Sequence, residues 1–315
     1  MDGALVLYPG DAIALDASPG GGDDWPAGTG QGATRHFAQG IALYASRQYR
    51  AYAFLYGEDT GVACLGYAAW ILWYLGYPDQ GCTRSHEAVT LAQQVAHPFS
   101  VGWALAATAI GHQFRREGQA VQTCAEATIA LATAQGFPYW RAYGEILRGW
   151  ACAHQGQVQE GREQLQQGLR AFQETGAEVF RPYFLALLAE TYGTMGQPAG
   201  GLTVLTEALT LADTTGEHWY EPEFYRLKGA LLLQASAAND VEAQTYFQQA
   251  LVVARRQQAK SLELRAAVSL SRLWQQQGKR TAAYELLAPL YGWFTEGLDT
   301  ADLQEAKAVL EDLGG

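Results

Sequence analysis

The chain has 315 residues, 49% hydrophobic and 17% charged, a composition that supports a sizeable core and excludes the low-hydrophobicity, high-charge signature of disorder. Acidic residues outnumber basic ones 32 to 21, for a net charge of −11, so nucleic acid is not an expected partner: affinity for a phosphate backbone comes from Lys and Arg. The four cysteines (Cys64, Cys82, Cys124, Cys152) form no CxxC pair, which argues against a disulfide framework or a zinc site and for a reducing, cytoplasmic setting.

In chain order, residues 1–34 hold eight glycines and no Lys or Arg and read as an irregular or disordered leader. The opening MDGALVLYPG has no basic n-region, so export is not expected. Residues 35–50 (RHFAQGIALYASRQYR) read as the second helix of a repeat whose first helix is missing. From Gly61 to Tyr77 there is no charged residue, long enough to raise a membrane span of about 17–25 residues. Its three Gly and three Tyr, with no Lys or Arg anchoring either end, favour instead a helix buried between two others.

A turn signal then recurs about every forty residues: LGYPDQ at Gly76, REGQA at Gly118, HQGQV at Gly156, MGQPA at Gly196 and QQGKR at Gly278. Glycine suits a left-handed cap closing one helix, and Pro78 and Pro198 suit the first turn of the next. Five residues after each turn stands a mostly small residue (Gly81, Thr123, Gly161, Gly201, Ala283), with another seven later (Ala88, Ala130, Gly168, Ala208). Seven before each turn stands a third (Ala69, Gly111, Gly149, Ala189, Ser271). A sixth unit fits with Gly229, Ala243 and Ala250 in register around a longer turn, QASAAND, and Pro98, Pro138, Pro182 and Pro222 mark where the first helix of each later pair begins. Small residues at fixed offsets are what close helix crossings require, since bulky side chains there force the axes apart.

The pattern includes large residues three after the earliest small position (Leu72, Phe114, Tyr192, Leu232, Trp274). It resembles the tetratricopeptide repeat with its 34-residue period lengthened to about forty. The expected fold is therefore all-α: an α-solenoid of about six helix hairpins over residues 35–299, wound as a right-handed superhelix. Residues 300–315 read as a capping helix, with Thr300 as N-cap, Asp302 in the first turn and Leu303, Ala306, Leu310 and Leu313 on one side.

Longer strings, among them FLYGEDTGVACLGYAAWILWYLGYPDQ, HQFRREGQA, QGFPYWRAYGEILRGWACAHQGQ, TGAEVFRPYFLALLAETYGTMGQP and LYGWFTEGLDTADLQEAKAVL, resemble the C-terminal helical region of large bacterial predicted ATPases. Proteins of that family are often built as a class III adenylate cyclase domain, an ATPase module and a tetratricopeptide tail. The resemblance covers roughly residue 35 to the C-terminus and implies a regulatory or scaffolding tail, without the family's catalytic and nucleotide-binding parts.

The residues themselves offer little chemistry. A phosphate loop needs clustered backbone N–H groups and a Lys, as in GxxxxGK[ST]. Gly278-Lys279 lacks the upstream glycine, and GTGQGAT at Gly28–Thr34 lacks the Lys. The six histidines show no HExxH, and no serine sits in a GxSxG elbow, so no metal, no cofactor and no enzymatic activity are expected.

Phasing from the turn glycines places Trp70, Trp73, Tyr74, His112, Arg115, Arg116, Tyr143, Trp150, His154, Tyr183 and Glu190 on the inner curve, a candidate groove of aromatics and a few charges. The leading expectation is a non-enzymatic protein-interaction module of a bacterial signalling system, taking a peptide or a partner domain such as a cyclase or ATPase region. A segment carrying a carboxylate would suit Arg115 and Arg116. The alternative is a small-ligand sensor whose superhelix curvature regulates an effector.

Overall fold

A computed structural model describes residues 57–314 together with Ile41; the Gly-rich leader and all but one residue of the half repeat lie outside the described residues. The described chain forms α1 (Thr60–Tyr74), α2 (Pro78–Val95), α3 (Pro98–Phe114), α4 (Gly118–Gln135), α5 (Pro138–His154), α6 (Val158–Glu174) and α7 (Arg181–Thr194). It continues with α8 (Pro198–Thr215), α9 (Glu221–Ala235), a 3-10 turn (Ala237–Asn239), α10 (Asp240–Arg256), α11 (Lys260–Gln276), α12 (Arg280–Tyr291) and α13 (Ala301–Gly314). No strand occurs among the described residues, and none of their helices is long and apolar enough to cross a membrane.

Each odd-numbered helix packs against the even-numbered helix that follows, and α1, α3, α5, α7, α9, α11 and α13 pack in succession along an inner row. This is the hairpin solenoid expected from the sequence. The small residues sit where helices cross: a Cβ added to Gly161 would collide with the Ala153 backbone nitrogen and lie 2.5 Å from the Gly149 carbonyl oxygen, and one added to Gly149 would lie 2.6 Å from the Leu165 nitrogen. Only glycine permits α5 and α6 to approach this closely.

Left-handed residues punctuate the array: Gly76, Arg116, Gly156, Gly196 and Gly278 between the helices of a hairpin, and Ala96, Gly136 and Gly216 between hairpins. One phasing expectation is therefore corrected. In the second unit the left-handed position falls on Arg116, with φ 63°, and Gly118 instead opens α4. The true small positions there are Ala109, Val121 and Thr128, all buried, whereas Thr123 and Ala130 are exposed. Arg116 closes the helix as glycine does elsewhere, at a backbone cost that contacts of its side chain can offset.

α13 buries Leu303, Ala306, Val309 and Leu313. Ahead of it, the Thr300 hydroxyl donates to the Gly297 carbonyl oxygen at 2.7 Å. The apolar core divides into two clusters, one running from α1 to α9 and on to Leu262 at the start of α11, the other from α10 to α13.

Candidate functional site

The inner row begins with aromatics. Trp70 donates its indole N–H to the Ala107 carbonyl oxygen at 2.8 Å and meets Trp103 and Phe180 edge to face. Trp73 stacks on Phe114 at 4.5 Å. The Tyr74 hydroxyl lies 2.8 Å from the Trp219 carbonyl oxygen and 2.6 Å from the Gln257 side-chain oxygen. Tyr143 is fully buried with its hydroxyl unpartnered, and Tyr183 is buried with its hydroxyl donating to Gln113 at 2.7 Å. These rings fill the inner face with edge-to-face and stacked contacts, each adding a modest attraction to a large burial of apolar area, rather than lining an open groove.

The inner curve is filled because the superhelix closes on itself: α11 packs against α1. Among the described residues a cavity of about 80 Å³ lined by charge stays open there. Arg265, on α11, donates through Nε to Asp302 Oδ2 at 2.8 Å and through Nη2 to the Phe114 carbonyl oxygen at 2.6 Å, while its guanidinium lies 5.1 Å from the Trp73 ring centre. Arg226 holds Glu223 bidentately at 2.9 and 2.6 Å, and Glu223 stands 3.7 Å from Arg265. Arg116 reaches Glu305 at 2.8 Å and Asp302 at 3.4 Å, and Arg272 pairs with the other oxygen of Glu305. Glu190 accepts the Trp150 indole N–H at 2.9 Å, and the Trp150 ring stacks on that of His154, which is exposed.

Burial alone would drive Glu223 toward neutrality, but Arg226 and Arg265 outweigh it and hold its carboxyl below the ordinary range. Arg265 is likewise penalised by burial, and Asp302 and Glu223 keep its guanidinium firmly charged. Burial works against Glu305 too, and Arg116 and Arg272 reverse it. A closed network of this kind is satisfied only as a whole, so loss of one partner leaves another charge stranded.

Apart from His154, which is exposed, the sequence-derived residues separate into three groups. Arg116 and Glu190 line the cavity, Trp70, Trp73, Tyr143, Trp150 and Tyr183 are buried, and Tyr74 is partly so. His112 and Arg115 turn instead to Glu117, at 2.5 and 2.7 Å, and Arg115 also reaches Asp79 at 3.1 Å. Burial raises the Glu117 carboxyl, yet the hydrogen bonds from His112 and Arg115 prevail and bring it down to about 2.

Sequence reasoning missed Glu223, Arg226, Arg265, Arg272, Asp302 and Glu305. One signal was available. Thirteen residues ahead of Gly156, Gly196, Ser236 in the QASAAND turn and Gly278 stand Tyr143, Tyr183, Glu223 and Arg265, so a buried aromatic position becomes a carboxylate and then a guanidinium. Among the described residues no three His, Cys, Asp or Glu side chains are grouped to hold a metal.

The fold is that of a tetratricopeptide-like solenoid. It is similar to RapI in its apo form (TM-score 0.53, 11% identity, covering 88% of this chain and 98% of that one). It is similar also to a Rap protein complexed with competence and sporulation factor (0.58, 8%, 96% and 89%). A third likeness is to a signal-transduction ATPase with numerous domains and a tetratricopeptide repeat sensor from Pyrococcus horikoshii (0.50, 13%, 90% of this chain), of which this chain spans 43%. No family model matches the chain, and no curated protein matches its sequence.

Proposed function

We propose that this chain is a non-enzymatic interaction module of a bacterial signalling system, holding a peptide or a partner domain against its concave face at the arginine cavity. The observation that carries the reading is the asymmetry of that cavity's hydrogen bonding. Both oxygens of Asp302, Glu223 and Glu305 already accept guanidinium N–H groups, whereas Arg116 and Arg272 each engage carboxylates through Nη1 alone. The side chain of Arg116 is 34% exposed and that of Arg272 51%. The mouth thus offers donors in a planar fork, which suits a carboxylate-bearing segment.

The resemblance to the tails of cyclase- and ATPase-containing proteins makes such a cyclase or ATPase domain the first partner to test, and the likeness to a Rap protein complexed with competence and sporulation factor supports a binding role for the fold. The small-ligand sensor finds less support: the aromatics fill their own space, and the remaining cavity is charged and about 80 Å³, room for several waters rather than for an organic ligand of typical pocket size.

The test is calorimetric titration of the full chain with the cyclase or ATPase region. Arg116→Ala with Arg272→Ala should weaken binding by about 2 kcal/mol or more, and Glu207→Ala on the outer helix α8 should leave it unchanged. The opposite pattern places the functional surface on the convex side and refutes the assignment.

A further inference from the structure

The charged cavity holds more bonding capacity than its own residues use. Among the described residues its four arginines are matched by four carboxylates. An ion of either sign would unbalance that lining in a partly desolvated space, whereas a ligand with one charge of each sign would not.

Gln113 and Tyr220 both line the cavity, and each is only 2% exposed. Gln113 accepts the Tyr183 hydroxyl through Oε1 at 2.7 Å, and its Nε2 donates to nothing among the described residues. The Tyr220 hydroxyl has no partner among them either, although its ring is held by those of Tyr183 and Phe114, with centroids 5.0 and 6.2 Å away. Arg226 spends Nε and Nη2 on Glu223, and its Nη1 makes no hydrogen bond. These three donors call for an anion. Acceptors remain as well. The Trp150 indole N–H occupies Glu190 Oε2 at 2.9 Å, and Glu190 Oε1 accepts nothing among the described residues. Ser269 donates its hydroxyl to the Arg265 carbonyl oxygen at 3.0 Å and keeps its own lone pairs. Buried polar side chains are ordinarily paired, so Gln113 and Tyr220, facing one cavity without a protein partner, mark it as a binding site.

Size narrows the class. At about 10–15 Å³ for each water, the 80 Å³ cavity has room for about six waters, and so for a ligand of about as many non-hydrogen atoms. That is far below the organic ligands of a typical pocket.

We infer that the cavity binds a small free α-amino acid, of the size of glycine, alanine or serine. Its carboxylate takes the Gln113 amide, the Tyr220 hydroxyl and Arg226 Nη1, its ammonium takes Glu190 Oε1 and Ser269 Oγ, and a short side chain lies against Val268. This goes beyond the partner reading and stands without it.

The experiment is saturation-transfer NMR of the full chain titrated with glycine, alanine and serine. Propionate and alaninamide serve as near-isosteres of alanine that lack the ammonium and the carboxylate respectively. At least one of the amino acids should bind saturably below about 1 mM, within reach of about six non-hydrogen atoms. Propionate and alaninamide should bind about tenfold or more weakly than alanine, the scale of one charge-assisted hydrogen bond. Tyr220→Phe removes a hydroxyl that supports nothing in the fold, and Glu190→Gln keeps an oxygen for the Trp150 N–H. Each should weaken binding by a similar factor while helical dichroism is retained. Absence of saturable binding by all three amino acids leaves water as the occupant and overturns the inference. Propionate or alaninamide binding as tightly as alanine overturns it too, since one charge would then suffice, and so does parent-like affinity in both variants. Every arm is read without the partner, so failure of the partner reading leaves the result intact.

Discussion

Gly161 is where the repeat phasing can be broken most locally. A methyl added there meets the Ala153 backbone nitrogen, the Gly149 carbonyl oxygen at 2.5 Å and the Ala153 Cβ at 2.7 Å. Ordinary contacts are near 3.5–4 Å, and none of these three atoms can swing aside, so Gly161→Ala must push α6 from α5 by about 1 Å. The same shift loosens Gly149 from Leu165, which is fully buried. Overpacking of this kind costs about 1–3 kcal/mol, partly offset by about 1 kcal/mol from the better helix propensity of Ala. Gly118→Ala is the control: its Cβ would meet chiefly the side chain of His154, which can move. In urea titrations of the full chain followed by circular dichroism, Gly161→Ala should unfold earlier than the parent by the equivalent of up to about 2 kcal/mol, with Gly118→Ala unchanged or later. A Gly161→Ala midpoint at or above that of the parent refutes the packing of α5 on α6.

Three further outcomes follow from the cavity and its surroundings. Arg265→Ala should destabilise by up to about 3–5 kcal/mol, since it removes the counter-charge that Asp302 and Glu223 share and leaves each with a single guanidinium, Arg116 and Arg226 respectively; a cost below about 1 kcal/mol in the same titration would mean the network is already hydrated. Glu217 accepts the Phe180 backbone N–H at 2.8 Å, yet burial pushes its carboxyl up to about 7. The folded chain therefore holds that proton where the unfolded chain has lost it, and stability falls as pH rises from about 4.5 through 7. Glu217→Gln should accordingly raise the melting temperature at pH 8 and little at pH 5, and an equal change at both would contradict the assignment. Finally, calorimetry with Mg-ATP should show no binding in the micromolar range and a phosphate-release assay no turnover, for want of a phosphate cradle.

The hairpins were legible because their cause is local: left-handed glycines, prolines at helix starts and small crossing residues each leave a mark within one unit. The second unit was misread by two residues for the same reason, since a search for glycine finds Gly118 and passes over Arg116, which holds the left-handed backbone without being one. The closed interior was not legible. Whether Trp73 meets solvent or Arg265 depends on the superhelical pitch, which accumulates from small rotations over five hairpins and leaves no mark in any one of them. Phasing could place Arg116 and Glu190 on the inner side, but their partners on α9, α11 and α13 come from units far along the chain. The expectation of an open aromatic groove failed at that step: periodicity assigns a face and is silent on what stands opposite.

Hydrogen–deuterium exchange of the full chain, alone and saturated with the cyclase or ATPase region, tests the central claim most directly. Binding at the concave cavity should slow exchange around Phe114–Glu117, Ser269–Arg272 and Asp302–Glu305, and leave the outer helices α4, α6 and α8 unchanged. Protection confined to α4, α6 and α8, with these three segments unaltered, would contradict it.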